Sequence, residues 1–159
     1  MTRPRLLMIA PAPVQQLPDG RLRLDAKFVE GMRLHAALWE GPVDCLLWQG
    51  GAIPFGEDHA PQELGFGLRL LPPGAELTAA DIAGAAVIAA SADMHQTLGL
   101  APLARAAGAK LCYVVEYTLS TRLAILRLEP GLSLPRRLRS GLWHLVQERR
   151  RRAAFRAAD

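Results

Sequence analysis

The chain has 159 residues, half of them hydrophobic and 21% charged, which suits one packed domain and excludes a disordered segment. The net charge of +4 hides an asymmetry: residues 1–134 hold 11 basic against 13 acidic side chains, whereas residues 135–159 hold eight arginines against Glu148 and Asp159. The two cysteines, Cys45 and Cys112, exclude a disulfide framework; each sits in an apolar run and is expected to be a buried, reduced thiol.

In chain order, Arg5–Ala10 reads as a first strand stopped by Pro11 and Pro13. Its apolar core is too short for a secretory h-region, and no stretch approaches the ~20 apolar residues of a membrane-spanning helix. Residues 14–24 read as a loop with a Pro18-Asp19-Gly20 turn. Asp25 caps a helix over 26–39, whose apolar face is Phe28, Met32, Ala36 and Trp39. Val43–Trp48 is the second strand, ending at Gln49-Gly50-Gly51, and a polar loop fills 52–63. Gly67–Leu71 is a weaker strand, and Thr78 caps a short helical turn over Ala79–Ala83. Ala85–Ala90 reads as a central strand, His95–Ala107 as a helix interrupted at Pro102 and closed by Gly108, and Lys110–Val115 as the last strand. Leu119–Leu128 and an Arg-rich stretch over 136–157 read as helices.

Apolar strands alternating with helical segments predict an α/β domain: a Rossmann-like, doubly wound, mostly parallel sheet with helices on both faces and a long C-terminal helix. The expected strand order is 3-2-1-4-5, with ligands outside the carboxyl ends of the strands. That directs attention to Pro11–Val14, Gln49–Gly51, Ser91–His95 and Glu116–Thr118.

Several chemistries are set aside by spacing. Gly65 and Gly67 begin a GxGxxG pattern, but position 70 is Leu. Gly51 and Gly56 have P-loop spacing, but Glu57-Asp58 follow where Lys-Ser/Thr is required. HExxH, CxxC pairs and GxSxG are absent, so neither a metal site nor a bound cofactor is expected.

The densest constellation is Ser91-Ala92-Asp93-Met94-His95. From the residues alone the first reading is that Ser91 or Asp93 caps the following helix, and the second that His95 acts as a general base with Asp93 orienting it. Glu116, followed by Tyr117, either faces a ligand or pairs with an arginine such as Arg122. Gln49 and Gly50 permit a close backbone approach to a ligand, or simply make a turn. Glu57-Asp58-His59 reads as a solvated loop.

Taken together, the opening strand with PAPV, the segment PDGRLRLDAKFVEGM, the stretch ASADMHQTLGLAPLARAAGAKLCYVVEYTLSTRLAI and the closing ERRRRAAFRAAD resemble the N-terminal domain of family 4 (group 1) glycosyltransferases of the two-lobed GT-B architecture. The resemblance covers nearly the whole chain through diffuse motifs. It implies an acceptor-binding lobe facing a donor-binding lobe across a cleft, with a catalytic base, where one is used, on a loop that Asp93 and His95 match. Two features depart from the family. Ala10-Pro11-Ala12-Pro13 replaces a glycine-bearing loop, and the Glu-x7-Glu pair of the donor lobe is absent.

The resulting expectation is a single domain over 1–159, the acceptor half of a sugar transferase using a nucleotide-sugar donor, inactive without its donor lobe. Asp93 and His95 are the expected catalytic residues, and Ser91, Glu116, Tyr117, Gln49 and Gly50 the expected substrate-binding ones. Expected partners are the donor-binding lobe, a sugar or lipid-linked acceptor, and an anionic membrane surface, but not nucleic acid. A cytoplasmic location, peripheral at the inner membrane face, goes with them. Membrane contact is assigned to Arg149, Arg150, Arg151 and Arg152, while Leu138, Leu142 and Leu145 are expected to dock on the domain. The rival readings are a non-catalytic binding or membrane-adaptor module, and a small nucleotide-binding α/β protein complete in itself.

Overall fold

The computed structural model describes residues 3–159. Five strands form one parallel sheet: β1 (Leu6–Ile9), β4 (Val43–Trp48), β6 (Gly67–Leu71), β7 (Val87–Ser91) and β8 (Lys110–Val114). Their spatial order β6-β4-β1-β7-β8 is the doubly wound 3-2-1-4-5 arrangement. The strands are apolar on both faces because both faces are covered where the helices lie. Leu7, Ile9, Leu46, Ile88 and Leu111 pack on one side with Leu100 and Ala104 of α3 (Leu100–Ala106) and Ile82 of α2 (Ala79–Ile82). On the other side, Leu6, Val43, Cys45 and Leu47 pack with Val29 and Met32 of α1 (Ala26–Leu38).

Local signals act as read from the sequence. The Asp25 carboxylate accepts from the backbone N–H groups of Lys27 (3.0 Å) and Phe28 (3.2 Å), capping α1. At the start of α2, Asp81 accepts from the N–H and hydroxyl of Thr78, both at 2.7 Å.

Residues expected to be loops form a second, antiparallel sheet. It contains β2 (Val14–Gln16), β3 (Leu22–Asp25) and β5 (Gly56–His59), in the order β2-β3-β5. Pro18-Asp19-Gly20 turns β2 into β3, with Gly20 at φ +84°. Glu57-Asp58-His59 is therefore a strand rather than a solvated loop. Asp58 is held by a two-pronged pair with Arg23, at 2.7 and 2.9 Å.

The cysteines differ from one another. Cys45 is buried, and burial pushes its thiol up to about 12. Cys112 lies on β8 and is exposed, contrary to the sequence expectation, because the α1 side of the sheet is left open at this edge strand.

Two helices close the chain, α4 (Leu119–Leu128) and α5 (Leu134–Ala157). Pro135 lies in the first turn of α5, where its missing N–H costs no helical bond, so the helix begins two residues earlier than expected. The docking of α5 is also the reverse of the expectation. Its first half carries Leu138, Leu142 and Leu145 exposed beside α4, while its buried residues, Gln147, Arg151 and Ala154, belong to the second half. Phe155 packs on Tyr113, with ring centroids 5.6 Å apart. Asp159 then pairs with the outer edge of β8: its carboxylate accepts from Leu111 N–H (3.0 Å), and its own N–H donates to Leu111 C=O (3.3 Å). Among the described residues no helix is long and apolar enough to cross a membrane.

Candidate functional site

The strand order reverses between β1 and β7, so the crevice of a doubly wound sheet lies at the loops leaving these two strands. The loop after β7 is longer than the sequence suggests. Helix α3 begins at Leu100, not His95, and Pro102 falls in its first turn. Ser91 and Asp93 therefore cap no helix. Residues 92–99 form an ordered turn built by a residue the sequence reading passed over, Thr97. Thr97 is fully buried, and its hydroxyl meets the carbonyls of Ser91 and Met94, the latter at 2.8 Å. The Tyr113 hydroxyl donates to Thr97 C=O at 2.8 Å, fixing the loop against β8. A lone threonine between Gln and Leu carries no sequence signal for this role.

Ser91, expected to contact substrate, is 6% exposed, and its hydroxyl accepts from Asp93 N–H at 3.2 Å. It shapes the turn rather than the crevice surface. Asp93 is engaged as well. One carboxylate oxygen takes the Arg122 guanidinium, and the other accepts from Glu116 N–H at 3.0 Å. The pair is nearly buried, the Asp93 and Arg122 side chains being 11% and 14% exposed. The Asp93 carboxylate bonds are to Arg122 and the Glu116 N–H and none is to His95, so Asp93 does not orient that ring. Of the two carboxylates offered to Arg122, it takes Asp93, 29 residues away, rather than Glu116. Arg122 also donates to Tyr117 C=O at 3.3 Å and lies 5.7 Å from the centre of the Tyr117 ring. The Asp93–Arg122 pair thus joins the exits of β7 and β8, leaving Glu116 and Tyr117 exposed beside it.

His144 of α5 stands near this knot. Its Nδ1 is buried and, among the described residues, has no hydrogen-bond partner. Burial, with the nearby positive charges of Arg122 and Arg151, holds its imidazole below the usual histidine range.

His95 projects from the same loop, exposed, into a polar pocket of about 340 Å³ also lined by Glu76, Gln96, Gly99 and Leu103. Glu76 reaches it from the loop after β6, tied down by a Trp48 Nε1–H bond to Ala75 C=O at 2.7 Å. A second pocket of about 500 Å³ opens between β2, with the turn that follows it, and the loop leaving β4. Gln15, Gln16, Gln49 and Gly50 line it, and Gln49 donates its amide to Gln16 at 3.3 Å. Gly50 and Gly51 both have positive φ, +116° and +90°. A side chain at Gly51 would meet Pro13 at 2.8 Å, so that glycine serves the crossing of two loops, whereas Gly50 faces open space. Gly50 N–H donates to Val14 C=O at 2.9 Å.

The structure therefore brings His95 together with Glu76 and Gln96, and Gln49 with Gln16 and Gly50. It joins Asp93 to Arg122 and to the Glu116 backbone. No cluster of three or more His, Cys, Asp or Glu side chains able to hold a metal occurs among the described residues.

Of the sites assigned to a membrane surface, Arg149, Arg150 and Arg152 are exposed. Arg151 is 4% exposed and bonds Glu148 at 3.1 Å, which removes it from any surface contact. Glu148 also takes Arg152 at 3.0 Å.

No family model matches this chain, and no curated protein does. Among solved structures it is similar to Phytolacca americana UGT2, described as complexed with UDP-2-fluoro-glucose and pterostilbene, at 15% identity and a TM-score of 0.42. The match covers 84% of this chain and 36% of that one, so the chain spans about a third of the length of this neighbour. The fold class rests on the sheet order itself, a Rossmann-like α/β domain with a five-stranded parallel sheet and a long C-terminal helix.

Proposed function

We propose that this domain is the acceptor-side lobe of a two-lobed glycosyltransferase that takes its sugar from a nucleotide-sugar donor held by a separate lobe. The observation that carries the reading is the exposed His95, held on a fixed loop at the carboxyl edge of the parallel sheet and sharing a polar pocket with Glu76 and Gln96. An imidazole there can accept a proton from an acceptor hydroxyl, and the neighbouring amide and carboxylate supply hydrogen bonds of the kind sugar hydroxyls use. Gln49 and Gly50 supply a second polar surface beyond β4 for the same acceptor. Asp93 is a positioning residue in this scheme: through Arg122 it sets the exits of β7 and β8, where Glu116 and Tyr117 meet the acceptor. The absence of a glycine-rich turn after β1 supports assigning the donor phosphates to the other lobe. The resemblance of the PAPV, ASADMH and ERRRR segments supports the same division of labour.

Calorimetry with UDP- and GDP-sugars tests the assignment. The domain is expected to bind neither tightly, and micromolar affinity for either would overturn it. In a polypeptide carrying both lobes, His95→Ala is expected to lower kcat by about 10²–10⁴, the usual contribution of a general base, with little change in donor KM. An unchanged kcat would remove His95 from the chemistry.

A further inference from the structure

We infer that the tip of the α4–α5 hairpin, rather than the arginine run at the end of α5, is a surface that inserts into an anionic lipid bilayer. Leu128 and Leu134, which flank the turn between the two helices, are 82% and 69% exposed, and Leu138, Leu142 and Ile125 continue the apolar surface away from it. Between α4 and α5 the surface opens into an apolar groove of about 400 Å³. So much exposed hydrocarbon at the end of a helical hairpin suits insertion into the edge of a bilayer.

The turn satisfies part of its own backbone. Arg137 reaches back across it and donates to the carbonyls of Arg127 (2.7 Å), Glu129 (2.8 Å) and Leu132 (3.0 Å). Pro130 and Pro135 bring no N–H to satisfy. Three carbonyls around the turn are thus paired internally, which lowers the cost of bringing them to the boundary of headgroups and acyl chains.

Charge selects the occupant. Around the turn Arg127, Arg136 and Arg139 are exposed against a single exposed carboxylate, Glu129. A second copy of this chain would set like charge against like charge across the same face, whereas a bilayer rich in anionic headgroups meets Arg127, Arg136 and Arg139 with the opposite charge. Trp143, half exposed on α5, has the amphipathic ring that favours such an interface.

The test is co-sedimentation of the chain with phosphatidylcholine vesicles, alone or mixed with phosphatidylglycerol, at low and high salt. It needs neither donor nor acceptor sugar, so its failure is distinct from failure of the transferase reading. Binding to the mixed vesicles, weakened by salt, is expected. Leu128→Glu with Leu134→Glu is expected to lower the partition coefficient at least about tenfold. Arg149→Gln with Arg150→Gln should lower it less than the leucine pair does. Circular dichroism should find all variants folded, since every substituted side chain is exposed. Three results would each overturn the inference: failure of the parent chain to bind mixed vesicles at low salt, equal binding by the leucine variant, or sedimentation-equilibrium dimerisation that the leucine variant abolishes.

Discussion

Removing Arg122 isolates the interaction that shapes the candidate site. In Arg122→Ala, the Asp93 carboxylate stays in a pocket that leaves it 11% exposed, with the Glu116 N–H as its remaining partner. Breaking one side of a fully buried ion pair costs about 3–5 kcal/mol, and the surviving hydrogen bond and slight exposure bring the expected loss here to about 2–3 kcal/mol. For a chain of this length that is roughly 5–10 °C in Tm. Arg122→Lys should fall between, because an ammonium keeps the charge but has one nitrogen where the guanidinium uses two, Nε for the Tyr117 carbonyl and Nη2 for Asp93. The decisive measurement is a double-mutant cycle of Asp93→Ala and Arg122→Ala, followed by thermal and urea unfolding monitored by circular dichroism. A coupling energy of at least about 1.5 kcal/mol is expected, since the pair is in direct contact. A coupling within about 0.5 kcal/mol of zero would show that the pair behaves like an exposed one, and would refute both its structural role and the positioning role assigned to Asp93.

Thr97→Val should destabilise the domain by about 1–3 kcal/mol in urea unfolding, and Thr97→Ser by less, because the serine keeps the hydroxyl that meets two loop carbonyls. His144 is held below the usual histidine range in the folded state, so the unfolded chain takes up its proton first. Its contribution is fully present above about pH 6.5 and is lost as pH falls toward the folded value; His144→Gln should flatten the decline in Tm between about pH 7 and 5. Ellman's reagent should count one reactive thiol in the native protein, Cys112, and two after denaturation, because Cys45 is buried with its thiol pushed up to about 12. Two rapidly reacting thiols in the native protein would contradict the packing of β4.

Much of the framework was legible in the residues. Strands covered on both faces must be apolar throughout, so Val43–Trp48 and the runs at β1, β7 and β8 announced a parallel sheet, and right-handed crossovers restricted its order. Asp25 announced its helix because a cap acts on backbone N–H groups within the next three residues, and Thr78 announced its own through Asp81, which reaches back to the Thr78 N–H. The antiparallel sheet did not announce itself. Its strands are three or four residues long, with polar stretches such as Gln15-Gln16 and Glu57-Asp58-His59, and their pairing joins β3 to a segment more than thirty residues away. Within the site, the sequence placed Asp93, His95, Glu116 and Arg122 near one edge of the sheet. Which carboxylate Arg122 would take was a non-local choice across 29 residues, which no spacing encodes. Likewise, the Leu stripe and the arginine run of α5 were visible from the start, but which half would dock was settled by what the domain offers. The ring of Tyr113 receives Phe155, and the unpaired edge of Leu111 receives Asp159. Local propensity and periodicity fix an element and its faces; the partner of each face is a non-local choice that only the assembled tertiary structure makes.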